Sequence, residues 1–480
     1  MPGEKLLSLL KSFSKPDFKG FKKYVQSPFF NENQDLVELY TYIETTLRGS
    51  KVGSEDTLLE KSVVWKILYP RKKYDDALMR RLSSDLTGLI QDFLGWQEFR
   101  KDPFNPLIYQ LRAHNSLTLQ KHFNGILREI EDYKSGITLR NADFHFAEYQ
   151  VEQIRHRHLE LSESKAKAAN LKHLQSSDYH LDCLYISRKL RNFCNLLGLQ
   201  QSLSVTADIS LMPGFLEYVS RSHYMEEPCV KSYYLVAQML LEPDDEVHYR
   251  ELKDLLMAQY ECFPHSEQNT LYTHLKNYCI DTKINKGRSD YFAELFEIYK
   301  TSLDKAIIFE NGVLPELHYK NMVTIGLKIR DFDWTEKFIE RYTDFLPEVN
   351  KDNARRFNLA KVYFSQSRYE KVVEQLSRVE YDNLTYALGG KMMLLETYYE
   401  LSEYKALDSL LESFRIYLIR NKLISKELQQ QYLNVIRFTR RLTSLPPFDR
   451  KAIEKLKVQI LDCKNIAAKD WLLRKLEEMG

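Results

Sequence analysis

A spacing recurs three times in the last third of the chain. Gly326, Ile329, Phe338 and Tyr342 are followed 34 residues later by Ala360, Tyr363, Val372 and Leu376, and these 35 residues later by Leu395, Tyr398, Leu407 and Leu411. A period near 34 residues is the size of one helix-turn-helix unit. Offsets of three and four inside each set place paired residues on one helical face, so each unit reads as two short helices packed on each other. This fixes an architecture and leaves the function open.

At 480 residues the chain exceeds the roughly 250–300 residues at which a single core stops growing, so it is several domains or a quasi-one-dimensional stack. Composition favours the stack: 16 glycines and 14 prolines against a 44% hydrophobic fraction leave few helix breakers and ample apolar surface. Residues 107–212 hold no proline, which suits long helices because proline removes an N–H and clashes with the preceding turn.

The formal net charge of +2, from 69 basic and 67 acidic residues, creates no global field to attract nucleic acid or anionic lipid. Cys183, Cys194, Cys229, Cys262, Cys279 and Cys463 are scattered without any C-x-x-C, so neither a zinc ribbon nor a disulfide framework fits and buried thiols are expected. The opening MPGEKLLSLLKSF is too short in its apolar stretch for a secretory signal. The apolar run 233–241 has nine residues and includes Gln238, far short of the roughly 20 that span a bilayer. A cytoplasmic protein without membrane insertion is expected.

The first hundred residues carry clear punctuation. Short helices are expected over 5–14 and 17–26, the second stopped by Pro28. Ser27-Pro28-Phe29-Phe30-Asn31-Glu32-Asn33 makes an elbow in which Asn31 or Asn33 caps the next helix while Phe29 and Phe30 bury at the corner. Thr57 and Glu60 have capping-box spacing, and Leu78, Leu82, Leu86, Leu89 and Phe93 form a stripe on a helix starting near Asp75 or Asp76. Long helices follow over 107–134 and 142–198, the latter broken near 162–167. From Ser266 the chain settles into pairs, the first being 266–286 and 289–304 separated by Gly287. A helix over 426–442, another capped by Asp449, and a closing helix over 468–479 complete the stack.

Leu359, Ala360, Tyr363, Ser367, Tyr369, Val372 and Leu376, with the turn Ser367-Arg368-Tyr369-Glu370, resemble the tetratricopeptide repeat. Leu394, Leu395, Tyr398, Ser402, Tyr404, Leu407, Leu411 and Phe414 repeat the pattern. Ile325, Gly326, Ile329, Asp333, Phe338, Tyr342 and Phe345 keep its packing residues, with Trp334-Thr335 where the turn tyrosine stands elsewhere. Leu395 is large where that family has a small residue, and no proline ends the second helix. More loosely, the SPFFNEN elbow and the WLLRKLEE ending are similar to a group of uncharacterised bacterial all-helical proteins, a likeness that brings no chemistry.

The tetratricopeptide resemblance implies a concave groove lined by the first helix of each unit. Carried across by position, its lining is Lys320, Val323, Leu327 and Arg330, then Phe357, Lys361 and Phe364, then Met392, Glu396 and Tyr399. The alternative is that the aromatic members are buried against a neighbouring helix. The asparagine-and-lysine arrangement by which some members of that family clamp a terminal carboxylate is absent.

No G-x-x-x-x-G-K, G-x-G-x-x-G or G-x-S-x-G occurs, so phosphate cradles and nucleophile elbows have no sequence support. His145, Glu148, Glu152 and His156 share a helical face, but a di-metal site needs further Glu-x-x-His pairs from facing helices, and no His-Glu-x-x-His exists. A stronger signal is electrostatic. Arg415, Arg420, Lys422, Lys426, Arg437, Arg440 and Arg441 stand against the single acid Glu427 over 415–441, a stretch suited to phosphate or an acidic surface unless acids of the preceding unit balance it.

The sequence therefore leads us to expect an all-α, right-handed helical-repeat solenoid: an N-terminal helical section over 1–140, a middle long-helix section over 141–265, tetratricopeptide-like repeats over 266–442 and capping helices over 443–480. The expected function is a non-enzymatic scaffold for a protein or peptide, with no cofactor or metal. Nucleic-acid or acidic-partner binding through 415–441 is the alternative.

Overall fold

The computed structural model describes residues 3–49, 58–161, 167–203, 211–347, 351–379, 384–446 and 449–479. Among these the fold is all-α, with 23 α-helices and one isolated bridge between Glu310 and Val313 in place of any strand. None of these helices is long and apolar enough to cross a membrane. The chain divides into two compact units, Met1–Arg188 and Lys189–Gly480.

In the first unit, α1 (Glu4–Lys11), α2 (Lys15–Val25), α3 (Gln34–Gly49), α4 (Lys61–Leu68) and α5 (Asp76–Lys101) close around one core that includes Leu10, Phe21, Tyr40, Ile43 and Leu86. The caps are local chemistry. Ser14 and Asp17 form a reciprocal capping box on α2, and the Asp75 carboxylate accepts from the backbone N–H groups of Ala77 and Leu78 at the start of α5. Thr57 of the expected capping box lies outside the described residues.

The elbow differs from expectation. Phe29 is 87% exposed and Phe30 40%, because Asn31 takes the inside of the corner, donating from Nδ2 to the carbonyls of Val25 and Asn33 at 2.8 and 3.0 Å. Phe30 stacks on Tyr24 at 4.1 Å instead of entering the core. Asn33 is the residue that caps, accepting from the Asp35 N–H at 3.0 Å.

A second core joins α6 (Phe104–Ser116), α7 (Gln120–Ser135) and α8 (Ala142–Leu161) through Phe104, Leu111, Phe123, Ile130 and Val151. The single helix expected over 107–134 is thus two. Thr118 adopts φ 53°, and His158 of α8 bridges the break, with Asn115 Oδ1 and Gln120 Oε1 each 2.7 Å from one of its ring nitrogens. Next, α9 (Lys167–Leu203) runs across the division between the units.

The second unit adds α10 (Phe215–Arg221), α11 (Pro228–Leu241), α12 (Val247–Gln259) and α13 (His265–Asn277), the last continued by a π-helical segment, Tyr278–Lys283. Then come α14 (Tyr291–Asp304), α15 (Glu316–Lys328), α16 (Phe332–Tyr342), α17 (Lys351–Ser365), α18 (Tyr369–Leu376), α19 (Leu384–Glu400) and α20 (Tyr404–Arg420). The chain closes with α21 (Lys426–Thr443), α22 (Arg450–Asp462) and α23 (Lys469–Met479). From α13 to α21 each helix packs on the next in sequence. α15, α17 and α19 fall where first helices were expected.

One turn is built identically after each of those helices. Arg330, Ser367 and Ser402 take left-handed φ values of 63°, 57° and 57°. The following N–H reaches back to the carbonyl of Gly326, Tyr363 or Tyr398 at 3.0, 2.8 and 2.9 Å, the helix-ending geometry that satisfies otherwise orphaned carbonyls. Gly287 repeats it between the two helices of the first pair, at φ 93°, with the Arg288 N–H on the Lys283 carbonyl at 3.0 Å.

These turns correct the register read from sequence. The step from Arg330 to Ser367 is 37 residues, not 34, and that from Ser367 to Ser402 is 35. The equivalent packing residues are therefore Val323, Ala360 and Leu395 in the first helices, and Thr335, Val372 and Leu407, then Ile339, Leu376 and Leu411, in the second, all 0% exposed. Tyr363 faces its own second helix through Arg368 and Lys371, 5.0 and 5.2 Å from its ring, and donates to Glu336 of α16 at 3.0 Å.

Candidate functional site

With the register set by the turns, one face of α15, α17 and α19 is Lys320, Thr324 and Leu327, then Phe357, Lys361 and Phe364, then Met392, Glu396 and Tyr399. The sequence placed Val323 and Arg330 on it because its first unit was three residues out of phase. Val323 is a packing residue in the core, and Arg330 is the exposed left-handed residue of the turn.

Phe357 is likewise core rather than groove. It is 4% exposed, meets the Tyr386 ring edge-on at 5.1 Å, and lies close beneath Gly389. Lys361, Phe364, Leu327 and Lys320 are half-buried and line the face. Lys320 Nζ pairs with Glu316 at 2.8 Å, the Tyr386 hydroxyl donates to the same carboxylate at 2.8 Å, and Lys320 stands 5.4 Å over the Tyr386 ring. Lys361 Nζ lies 4.9 Å over the Phe357 ring. Among the described residues no carboxylate pairs with Lys361, whose amine is held below the ordinary lysine range by burial and then by the Lys320 charge.

The α19 share of the face is covered by the chain's own last helix. Tyr399 meets Trp471 edge-on at 5.3 Å, and Lys475 Nζ pairs with Glu400 at 2.8 Å. Burial raises the Glu396 carboxyl to about 7 against the opposing charge of Arg474. Met392 packs against the same core as Trp471, Leu472 and Leu476.

A lysine that sequence reasoning missed extends the face. Lys320, Phe357 and Met392 each precede their left-handed turn residue by ten positions; Lys276 precedes Gly287 by eleven. The extra residue is accommodated by the π segment, whose i→i+5 bonds hold more residues per turn. Buried Leu275 and Cys279 then match buried Tyr319 and Val323, and Lys276 falls at the position of Lys320. No periodicity of 3.6 in the sequence signals this one-residue insertion.

The basic stretch does not form one patch. Glu412 accepts from both Arg415 and Arg440, at 2.7 and 2.8 Å, and is held down to about 2 by those hydrogen bonds. Arg441 donates to Gln459, and Arg437 stands 4.6 Å over the Phe438 ring. Arg420, Lys422 and Lys426 are exposed near the α20–α21 turn, about 20 Å of helix away from Arg440.

Two polar clusters elsewhere pair mostly within themselves, although Glu148 Oε1 in the first is buried without a hydrogen-bond partner among the described residues. In the first unit, Glu148 pairs with Lys134 at 2.6 Å, Glu152 meets His173 at 2.5 Å, and His145 Nδ1 faces His180 Nδ1 at 2.9 Å. These bonds join α8 to its neighbours and do not converge with His156, which lies beside Glu160 at 3.5 Å. In the second, a cleft of about 500 Å³ between α12 and α14 is lined by Glu246, Arg250, Lys253, Arg288 and Glu294. Lys283 and Arg250 occupy Glu246, while Lys253 and Tyr249 occupy Glu294. Cys279 beneath it is pushed up to about 12 by burial, which makes it no nucleophile.

No family model, curated protein or solved structure matches this chain.

Proposed function

We propose that this chain is a non-enzymatic scaffold, a right-handed tetratricopeptide-like solenoid over 266–442, that binds a protein or peptide partner on the face carrying Lys320, Leu327, Lys361 and Phe364. The observation that carries this reading is Lys361: a half-buried ammonium without a carboxylate partner among the described residues, beside a part-exposed aromatic ring. Desolvated charge next to an aromatic anchor is the composition of binding hot spots. The six free cysteines agree with a reducing, cytoplasmic setting.

The test is affinity purification from the native host with the parent and with Lys361→Glu/Phe364→Ser. A co-purifying protein lost from the variant, at unchanged melting temperature, supports the reading; identical recovery from both refutes it.

Nucleic-acid binding at Arg420, Lys422 and Lys426 is the second reading, supported by their exposure and the lack of an ion pair at any of them among the described residues. Three phosphate contacts give a log–log salt slope near −3. No oligonucleotide retention at low salt would remove it.

A further inference from the structure

Lys276 is 2% exposed and its Nζ has no hydrogen-bond partner among the described residues. Lysine is almost never buried without a counter-charge, because desolvating an unpaired ammonium is costly. Lys276 Nζ stands 5.2 Å over the Tyr299 ring, and the Tyr299 hydroxyl accepts from Asn321 Nδ2 at 3.1 Å. The His318 ring lies 5.9 Å from that of Tyr299, and its buried Nδ1 has no hydrogen-bond partner among the described residues either.

Lys276 Nζ on α13 and His318 Nδ1 on α15, both beside the Tyr299 ring, thus have no hydrogen-bond partner among the described residues. An unsatisfied buried group calls for an explanation, such as a missing acceptor. Replacing a buried charge by an apolar residue of similar volume is often neutral or stabilising.

We propose that Lys276 anchors a binding site for a carboxylate, completed by His318 Nδ1–H and the second N–H of Asn321, and that the carboxylate is a side chain of an acidic peptide segment. One ammonium neutralises one carboxylate, whereas a phosphate dianion would remain under-compensated in this low-dielectric setting. The charge balance holds at neutral pH: burial brings Lys276 down only to about 8, leaving it mostly protonated, and brings His318 to about 4, leaving it neutral. His318 and Asn321 are part-exposed, and the proposed site requires one of them to change rotamer to admit the ligand. Lys361 on α17, with which no carboxylate of the described residues pairs, serves a further acidic residue of the same segment. In this last respect the site rests on the scaffold reading; the Lys276 site itself rests on the unpartnered Lys276 and His318 atoms beside Tyr299.

The experiment uses full-length protein and a fluorescein-labelled, C-terminally amidated hexaglutamate, with citrate, inorganic phosphate and a dT12 oligonucleotide as competitors. Hexaglutamate is expected to bind, and phosphate to compete poorly. Lys276→Met should weaken binding about tenfold or more while leaving the melting temperature unchanged or higher. His318→Phe, which keeps the ring and removes the donor, should weaken it several-fold and guards against misfolding of the first variant. Citrate binding that is lost in Lys276→Met, without hexaglutamate binding, would keep the carboxylate site but overturn the peptide source. Preference for dT12 would overturn the carboxylate assignment. Undiminished binding by Lys276→Met, or no binding of any probe, overturns the site. Loss with Lys361→Met but not with Lys276→Met would leave the scaffold reading standing and remove this one.

Discussion

Thr335 packs so closely on Gly326 that a Cβ added to the glycine would meet Thr335 Oγ1 at 2.2 Å. Thr335 cannot easily yield, since its hydroxyl donates to the Asp331 carbonyl at 2.6 Å and the residue is fully buried. Gly→Ala inside a helix ordinarily stabilises by roughly 0.5–1 kcal/mol. Here the sign reverses: Gly326→Ala should destabilise by about 1–3 kcal/mol through overpacking. Thr335→Ala added to it should recover part of the loss, a coupling visible in urea midpoints of the two single variants and the double.

The same pair shows what the sequence concealed. It announces a close approach through Gly326, and the first and second helices of each pair through their periodic apolar residues. It gives no reason to place Thr335, a polar residue, at the core position held by Val372 and Leu407, so matching hydrophobic Phe338 to Val372 shifts the unit by three. Turn conformation fixes the phase, and a left-handed φ at Arg330 has no sequence signal, because arginine is not a residue that favours it. The α19 share of the expected groove failed for another reason: α23 lies about 70 residues downstream of Tyr399, and helical periodicity does not say which face a distant helix covers.

Ser367 and Ser402 pay a conformational cost at φ 57° that glycine would not. Ser367→Gly should therefore stabilise by about 0.5–1 kcal/mol, and Ser367→Val should destabilise by more, since a β-branched residue fits that region worst. Arg355→Gly, on the exposed face of α17, should lose about 1 kcal/mol. Equal responses to glycine at positions 355 and 367 in thermal denaturation would contradict the repeated turn.

Phe357 and Phe364 sit on the same helix with different roles. Phe357→Ala should cost about 3–5 kcal/mol, as for a buried aromatic whose removal leaves a cavity, here beneath Gly389 and Tyr386. Phe364 is part-exposed and touches Tyr369 at 5.9 Å, so Phe364→Ala should cost clearly less. Chemical denaturation of the two variants, with far-UV dichroism as probe, orders them; equal losses would place Phe364 in the core and take the aromatic anchor out of the proposed face.

Glu396 predicts a pH dependence. Burial raises its carboxyl from 4.5 to about 7, with Arg474 opposing, Glu400 adding to the rise and Lys475 opposing it. The unfolded chain gives up this proton near 4.5 and the folded chain keeps it to about 7, so between those values the folded state binds more protons. Stability from this group therefore falls as pH rises through that window, by a total of about 3 kcal/mol. Glu396→Gln, which keeps the shape and cannot ionise, should match the parent near pH 4 and exceed it above pH 7. Urea midpoints of the two proteins from pH 4 to 8 read this directly: diverging curves place a reluctant carboxylate under α23, and parallel curves would mean that Arg474 and Lys475 already compensate the charge.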